Sequence, residues 1–224
     1  KGCVGYWNMD ESSGTTIYDQ TGNKDGTTNT TRGSTGIIGK CLFNEIGKGS
    51  TIAYDASQAL AGINAYSVSL WFRIDSLATL RGNDNYIAYF ANSGTPYSSP
   101  VTLYQTDVDD DLYFRMKDAV GKDYNLTVDG FTEDSIWYHV VVTYEYGDTL
   151  RIYKNGDLVA TDNEKLTTYP AEATSRRLGN NTPTGTISYL FGYIDEVGLW
   201  TKKLSLAEIK KLYNSGNGKT YPFN

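Results

Sequence analysis

A two-residue alternation of apolar and polar side chains recurs along most of this chain, and it constrains the fold more than any other feature. In residues 66–74, Val68, Leu70, Phe72 and Ile74 point one way while Ser69, Trp71 and Arg73 point the other. Residues 136–144 repeat the pattern, with Tyr138, Val140, Val142 and Tyr144 opposing Trp137, His139, Val141 and Thr143. A strand sends successive side chains to opposite faces, so each run has a core face and a semi-polar face, and a large antiparallel sheet follows. Asn155-Gly156 separates two strand-like runs at 151–154 and 157–160. Both turn positions tolerate positive φ, which predicts a hairpin. Further strands are predicted at 4–9, 40–43, 51–54, 86–91, 101–105, 112–117, 124–128 and 187–200, a spacing that describes a sandwich or barrel. Near the end, Ser205 stands as an N-cap with Glu208 three residues on and Leu204 and Ile209 at the staple positions. That pattern predicts a short helix to about Tyr213.

No linker, compositional break or fixed-period repeat divides the 224 residues, so residues 1–224 read as one domain. The formal net charge of -6 and the absence of any Lys/Arg run argue against nucleic acid as a partner. No apolar stretch is long enough to span a membrane, and the opening residues lack a signal-peptide core, so the chain is expected to be mature or excised. Cys3 and Cys41 both lie in short apolar runs, where a buried free thiol and a disulfide are both open readings. The sequons at Asn29, Asn125 and Asn180 carry little weight in so Asn/Thr-rich a chain.

Several stretches resemble the laminin-G-like branch of the concanavalin A-like lectin/glucanase superfamily. They are the opening Val4-Gly5-Tyr6-Trp7-Asn8-Met9-Asp10-Glu11 with Tyr18-Asp19-Gln20-Thr21-Gly22, and Gly36-Ile37-Ile38-Gly39-Lys40-Cys41-Leu42-Phe43. Ser67-Val68-Ser69-Leu70-Trp71-Phe72, Trp137-Tyr138-His139-Val140-Val141-Val142, and Gly192-Tyr193-Ile194-Asp195-Glu196-Val197-Gly198-Leu199-Trp200 follow in the same order. Residues 78–99 match no part of the pattern. The resemblance implies an all-β, two-sheet antiparallel jelly roll with a short C-terminal helix, often a sugar-binding or adhesion module of extracellular or surface proteins.

Catalysis has no visible machinery. The glucanase branch of the resembled family carries Glu, Asp and Glu alternating on one strand, and no strand here does so. Asp195 and Glu196 are adjacent and expected on opposite faces, while Glu133-Asp134 lies in turn-like sequence before a strand. The alginate-lyase branch uses a Gln-x-His strand, whereas His139 is preceded by Trp137-Tyr138. A lone histidine reads as structural, with no suitably paired Ser or Cys to activate.

Sugar binding has a clearer physical basis, because pyranose rings offer C–H faces that stack on aromatics and hydroxyls that need fixed polar partners. Tyr86, Tyr89, Tyr97, Tyr104, Tyr113 and Arg115 fall where this fold builds a face or its rim. For calcium, Asp107-Val108-Asp109-Asp110-Asp111 has an EF-hand-like start, but Leu112 replaces the required glycine, which favours an ordinary hairpin turn. A second cluster, Asp10, Asp19 and Asp195, is expected to meet in this fold and to hold a structural calcium ion with backbone carbonyls. The expected function is a non-catalytic carbohydrate-binding or adhesion module. The alternative is a structural or protein-binding domain of a surface assembly such as a pilus, fibre or virion, and a glycan-cleaving enzyme ranks last. The expected partner is therefore a glycan or a surface protein, met outside the cell.

Overall fold

The two longest alternating runs lie side by side at the centre of one sheet, with Tyr138 opposite Phe72 and Val142 opposite Val68. The computed structural model describes residues 2–53, 58–91, 99–131, 134–170, 172–182 and 188–223. The first sheet contains β1 (Cys3–Trp7), β4 (Thr31–Thr35), β5 (Lys40–Asn44), β7 (Ala65–Ile74), β12 (Trp137–Glu145), β13 (Arg151–Lys154), β14 (Asp157–Thr161) and β16 (Gly192–Trp200). Its order is β14-β13-β12-β7-β16-β5-β4, with β1 also paired to β16. The second holds β2 (Thr16–Ile17), β3 (Gly26–Thr28), β6 (Ser50–Ile52), β8 (Asn85–Ala91), β9 (Val101–Gln105), β10 (Leu112–Lys117), β11 (Asp123–Val128) and β15 (Ser175–Leu178). It runs β11-β10-β9-β8-β15-β6-β3-β2, and the pairings in both sheets are antiparallel.

Leu70, Phe72, Val140 and Val142 from the first sheet join Ile87, Phe90, Leu103 and Phe114 from the second in one buried cluster between them. This is the expected two-sheet sandwich, its inner faces filled by alternate residues of each strand. The Asn155-Gly156 hairpin forms between β13 and β14, with φ of 52° and 86° at the two turn residues. Asn155 further fastens the turn, its Oδ1 accepting from the His139 amide at 3.0 Å.

The semi-polar face of β7 and β12 is not left to solvent, because a third layer covers much of it. After the single-turn helix α1 (Ala78–Arg81) between β7 and β8, helix α2 (Leu206–Tyr213) forms with Ser205 and Glu208 in a reciprocal capping box, which satisfies two of the amide donors orphaned at a helix start. Val141, Tyr153, Trp200, Leu204, Ile209 and Leu212 make a second apolar cluster beneath it, with Phe223 packed alongside. Trp71 stacks on Tyr213 at 5.7 Å, and Trp71 and His139 keep only 3% and 1% of their surface exposed.

Other departures are local. Residues 187–200 become a strand only from Gly192, and Tyr54 and Ile187, at the limits of two predicted runs, lie outside the described residues. Asp195 and Glu196 sit at a bulge, Glu196 with φ of 51°, so regular alternation ends there. Cys3 and Cys41 are both free thiols, and burial pushes both up to about 12. Among the described residues no helix is long and apolar enough to cross a membrane.

Candidate functional site

The solvent face of the second sheet carries the richest polar chemistry, and strand register builds it. Starting at β11, directly opposed residues run Asn125, Arg115, Thr102, Tyr89, Arg177, Thr51, Thr27 and Thr16 across all eight strands. A neighbouring row runs Thr127, Tyr113, Tyr104 and Tyr86. The intervening residues Ile87, Phe90, Leu103, Leu112, Phe114 and Met116 are buried in the core, so the pleat itself turns these rows outward, although Thr102 is covered, 4% exposed with its hydroxyl donating to Ser99 Oγ at 3.0 Å.

Four of the expected tyrosines come together. Tyr86 and Tyr104 stack at 5.1 Å and 11°, Tyr104 and Tyr113 at 5.6 Å and 26°, and Tyr89 meets Tyr86 edge-on at 6.0 Å. The result is a half-exposed aromatic ladder over three strands. Burial pushes the Tyr86 hydroxyl up to about 12 and that of Tyr104 up as well. Tyr97 lies outside the described residues.

Arg115 is on this face as expected, but its guanidinium is engaged by Asp123, with Nε at 3.0 Å and the terminal nitrogen at 2.9 Å from Oδ1. The arginine that sequence reasoning missed is Arg177. Its neighbour Arg176 turns into the core, where it donates to the Gln58 carbonyl at 2.7 Å. Arg177 turns outward beside Tyr89 and lines a polar cavity of about 230 Å³ with Thr27, Thr51, Asn29, Gly49 and Asn180. The one available signal was the pair Arg176-Arg177 before Leu178, which only a strand would split between two faces.

The aspartates expected to share calcium are occupied by hydrogen bonds. Asp19 accepts from the amides of Tyr6, Thr21 and Lys24 and from Gln58 Nε2. Asp195 accepts from the amides of Ile37, Ile38 and Glu196, and Asp10 from the Lys40 amide at 2.7 Å. Among the described residues no three His, Cys, Asp or Glu side chains group as metal ligands. Asp107–Asp111 is the β9–β10 turn, where Asp109 takes the Thr106 hydroxyl and the Asp111 amide.

The expectation that no serine pairs with His139 needs correction. Ser69 Oγ lies 2.8 Å from His139 Nε2, because β7 and β12 bring the two together under α2. The pair is sealed from solvent. Burial drives the imidazole down to about 3, and its buried Nδ1 has no hydrogen-bond partner, so no carboxylate orients the ring as a base. Glu133, read as half of a turn-borne acid pair, lies outside the described residues.

A laminin G family model described as concanavalin A-like lectin/glucanases superfamily matches residues 47–210. Sequence comparison with curated proteins finds no match. Among solved structures, the receptor-binding domain of botulinum neurotoxin D superposes with a TM-score of 0.74 at 15% identity, covering 96% of this chain and 53% of that one. The binding domain of Paraclostridial Mosquitocidal Protein 1 gives 0.72 at 18%, covering 96% and 52%. A Trypanosoma rangeli sialidase gives 0.72 at 17%, covering 97% of this chain and 34% of the enzyme. The chain thus spans about half of the binding domains and a third of the sialidase, and these likenesses concern the fold.

Proposed function

The chain belongs to the concanavalin A-like lectin/glucanase superfamily, and from that premise we propose that it is a non-catalytic carbohydrate-binding module that works outside the cell or on a particle surface. The observation that carries this reading is the tyrosine ladder Tyr113, Tyr104, Tyr86, set in a face of hydroxyls, amides and guanidinium groups. Stacked rings offer flat, rigid, half-apolar platforms for the C–H faces of sugars, and the polar row beside them supplies partners for hydroxyls. Neither row contains a carboxylate that could serve as acid or nucleophile. Of the carboxylates beside the rows, Asp123 is held by Arg115 and by Lys117 at 3.4 Å, and Asp84, next to Tyr86 and Tyr104, accepts from the Asp107 amide at 3.1 Å and stands without a second acid paired to it among the described residues.

The test is a glycan array probed with the wild-type chain and with the triple variant Tyr86→Ala, Tyr104→Ala, Tyr113→Ala. Binding by the first and its loss in the second, with the melting midpoint retained, supports the reading. Equal binding by both moves the site elsewhere, and release of reducing ends from any bound glycan overturns the non-catalytic part.

A second reading, a protein-binding domain, is favoured by one observation: edge strand β14 exposes Leu158 (49%) and Val159 (41%). Unpaired edges of this kind pair with other strands. Self-association or partner capture abolished by Val159→Lys, with no glycan bound, would favour this alternative.

A further inference from the structure

We propose that the Arg177 cavity is a subsite for the acid group of a charged sugar, a carboxylate or sulfate carried on the ring that stacks at Tyr89. This assignment rests on the glycan-binding reading above and names the class of sugar.

Three observations converge on it. First, among the described residues no carboxylate pairs with the Arg177 guanidinium, although the side chain is half-buried and burial lowers its proton affinity. Among the described strands of this sheet the other basic side chains, Arg115, Lys117 and Arg176, each meet a carboxylate. A desolvated cation without an anion is costly, and its planar fork matches a two-oxygen acid bidentately.

Second, the cavity that Arg177 lines is walled by neutral oxygen and nitrogen groups, with no acidic side chain to repel an anion. Asn180, only 5% exposed, donates its amide to the Lys48 carbonyl at 3.1 Å, while its buried Oδ1 has no partner. Gly49 makes the arrangement possible, since a Cβ there would lie 2.1 Å from Asn180 Nδ2.

Third, Tyr89 stands directly opposite Arg177 on the neighbouring strand. Strands lie roughly 4.8 Å apart, about the width of one pyranose ring, so a sugar on Tyr89 presents its substituent to Arg177. The chain's net charge of -6 gives an acidic ligand no long-range attraction, so selection for the acid falls to this local contact.

The experiment uses matched glycans that differ only at one group: neutral hexose, the corresponding uronic acid, and the O-sulfated hexose. Wild type is expected to bind one or both acidic members about ten- to a hundredfold more tightly than the neutral one. Arg177→Gln should abolish that preference, whereas Tyr104→Ala should weaken neutral and acidic members alike. The uronic and sulfated arms tell which oxyanion is used. Absence of preference in wild type, or its survival in Arg177→Gln, overturns the subsite. Should no glycan bind at all, the glycan reading fails by itself, and a second measurement decides the subsite. In it the Arg177 Nε–H resonance is followed by NMR while sodium glucuronate, then sodium sulfate, is titrated into wild type. A saturable shift at Arg177 and not at Arg115 supports the anion subsite, and no saturable shift with either salt overturns it.

Discussion

The rings of Tyr86 and Tyr104 lie 5.1 Å apart and 11° from parallel, one on β8 and the other directly opposite on β9. Tyr104 also stacks on Tyr113, so it is the middle rung on which the ladder's continuity depends. Replacing it with alanine should remove two ring contacts and weaken glycan binding by about 2- to 10-fold, from roughly 0.5–1.5 kcal/mol per stacked ring. Tyr104→Phe should retain most of the affinity. Calorimetric titration of the best array ligand checks this, and equal affinities for wild type and Tyr104→Ala would count against the ladder as a platform.

Asp19 serves as a knot for the first strand and the turn after it, taking amide protons from Tyr6, Thr21 and Lys24. Asp19→Ala should destabilise the fold by about 2–5 kcal/mol, since several part-buried donors lose their acceptor at once. Because its lone pairs are already engaged, calcium and chelator should give coincident melting curves. A chelator-induced fall of several degrees would show that an ion is bound.

Glu196 is 3% exposed and burial pushes its carboxyl up to about 8 against the opposing effect of a Thr220 hydrogen bond, with the Tyr6 hydroxyl donating to Oε2. The folded state thus holds a proton that the unfolded chain releases near its ordinary value of 4.5. Its contribution to stability is full below that value and is lost as pH rises towards about 8. Asp195, also raised to about 8 by burial, adds a slope of the same sign. Wild type should melt lower at pH 8 than at pH 5, and Glu196→Gln should flatten the profile. An unchanged slope in the variant would place the titration elsewhere.

Gly156 has φ of 86°, and a Cβ there would meet the Tyr213 ring at 3.1 Å. Gly156→Ala should therefore cost about 1–3 kcal/mol in backbone strain and push the β13–β14 hairpin away from α2. Urea titration measures the loss. A change below about 0.5 kcal/mol, the usual effect of a bland surface substitution, would mean that the turn adapts freely.

What could be read in the sequence was local. Asn155-Gly156 and the Ser205/Glu208 box declare themselves within four residues, and the family resemblance fixed the sandwich. The tyrosine ladder was half legible, since Tyr86, Tyr104 and Tyr113 alternate with apolar neighbours on their own strands. Arg177 was not, because β15 is four residues long, has two charges and shows no period. Its significance arises only from lying beside Tyr89, 88 positions away in the chain. Burial of Ser69 and His139 was hidden for a similar reason: a helix some seventy residues further on from His139 covers them.

The pairing of β1 with β16 also determines how this module would carry tension. The strands are antiparallel, with Cys3 opposite Trp200 and Trp7 opposite Val197. Force applied at residues 2 and 201 would therefore enter at the same end of the ladder. Its hydrogen bonds would be loaded one after another, as a zip is opened, and never shared as they would be if the strands slid past each other. Phe223 packs on Trp200 where that zip begins, and Tyr221 and Phe223 both pack on Tyr6 further along it. They make it a mechanical latch, and its removal should lower the pulling force at which the first strand peels away.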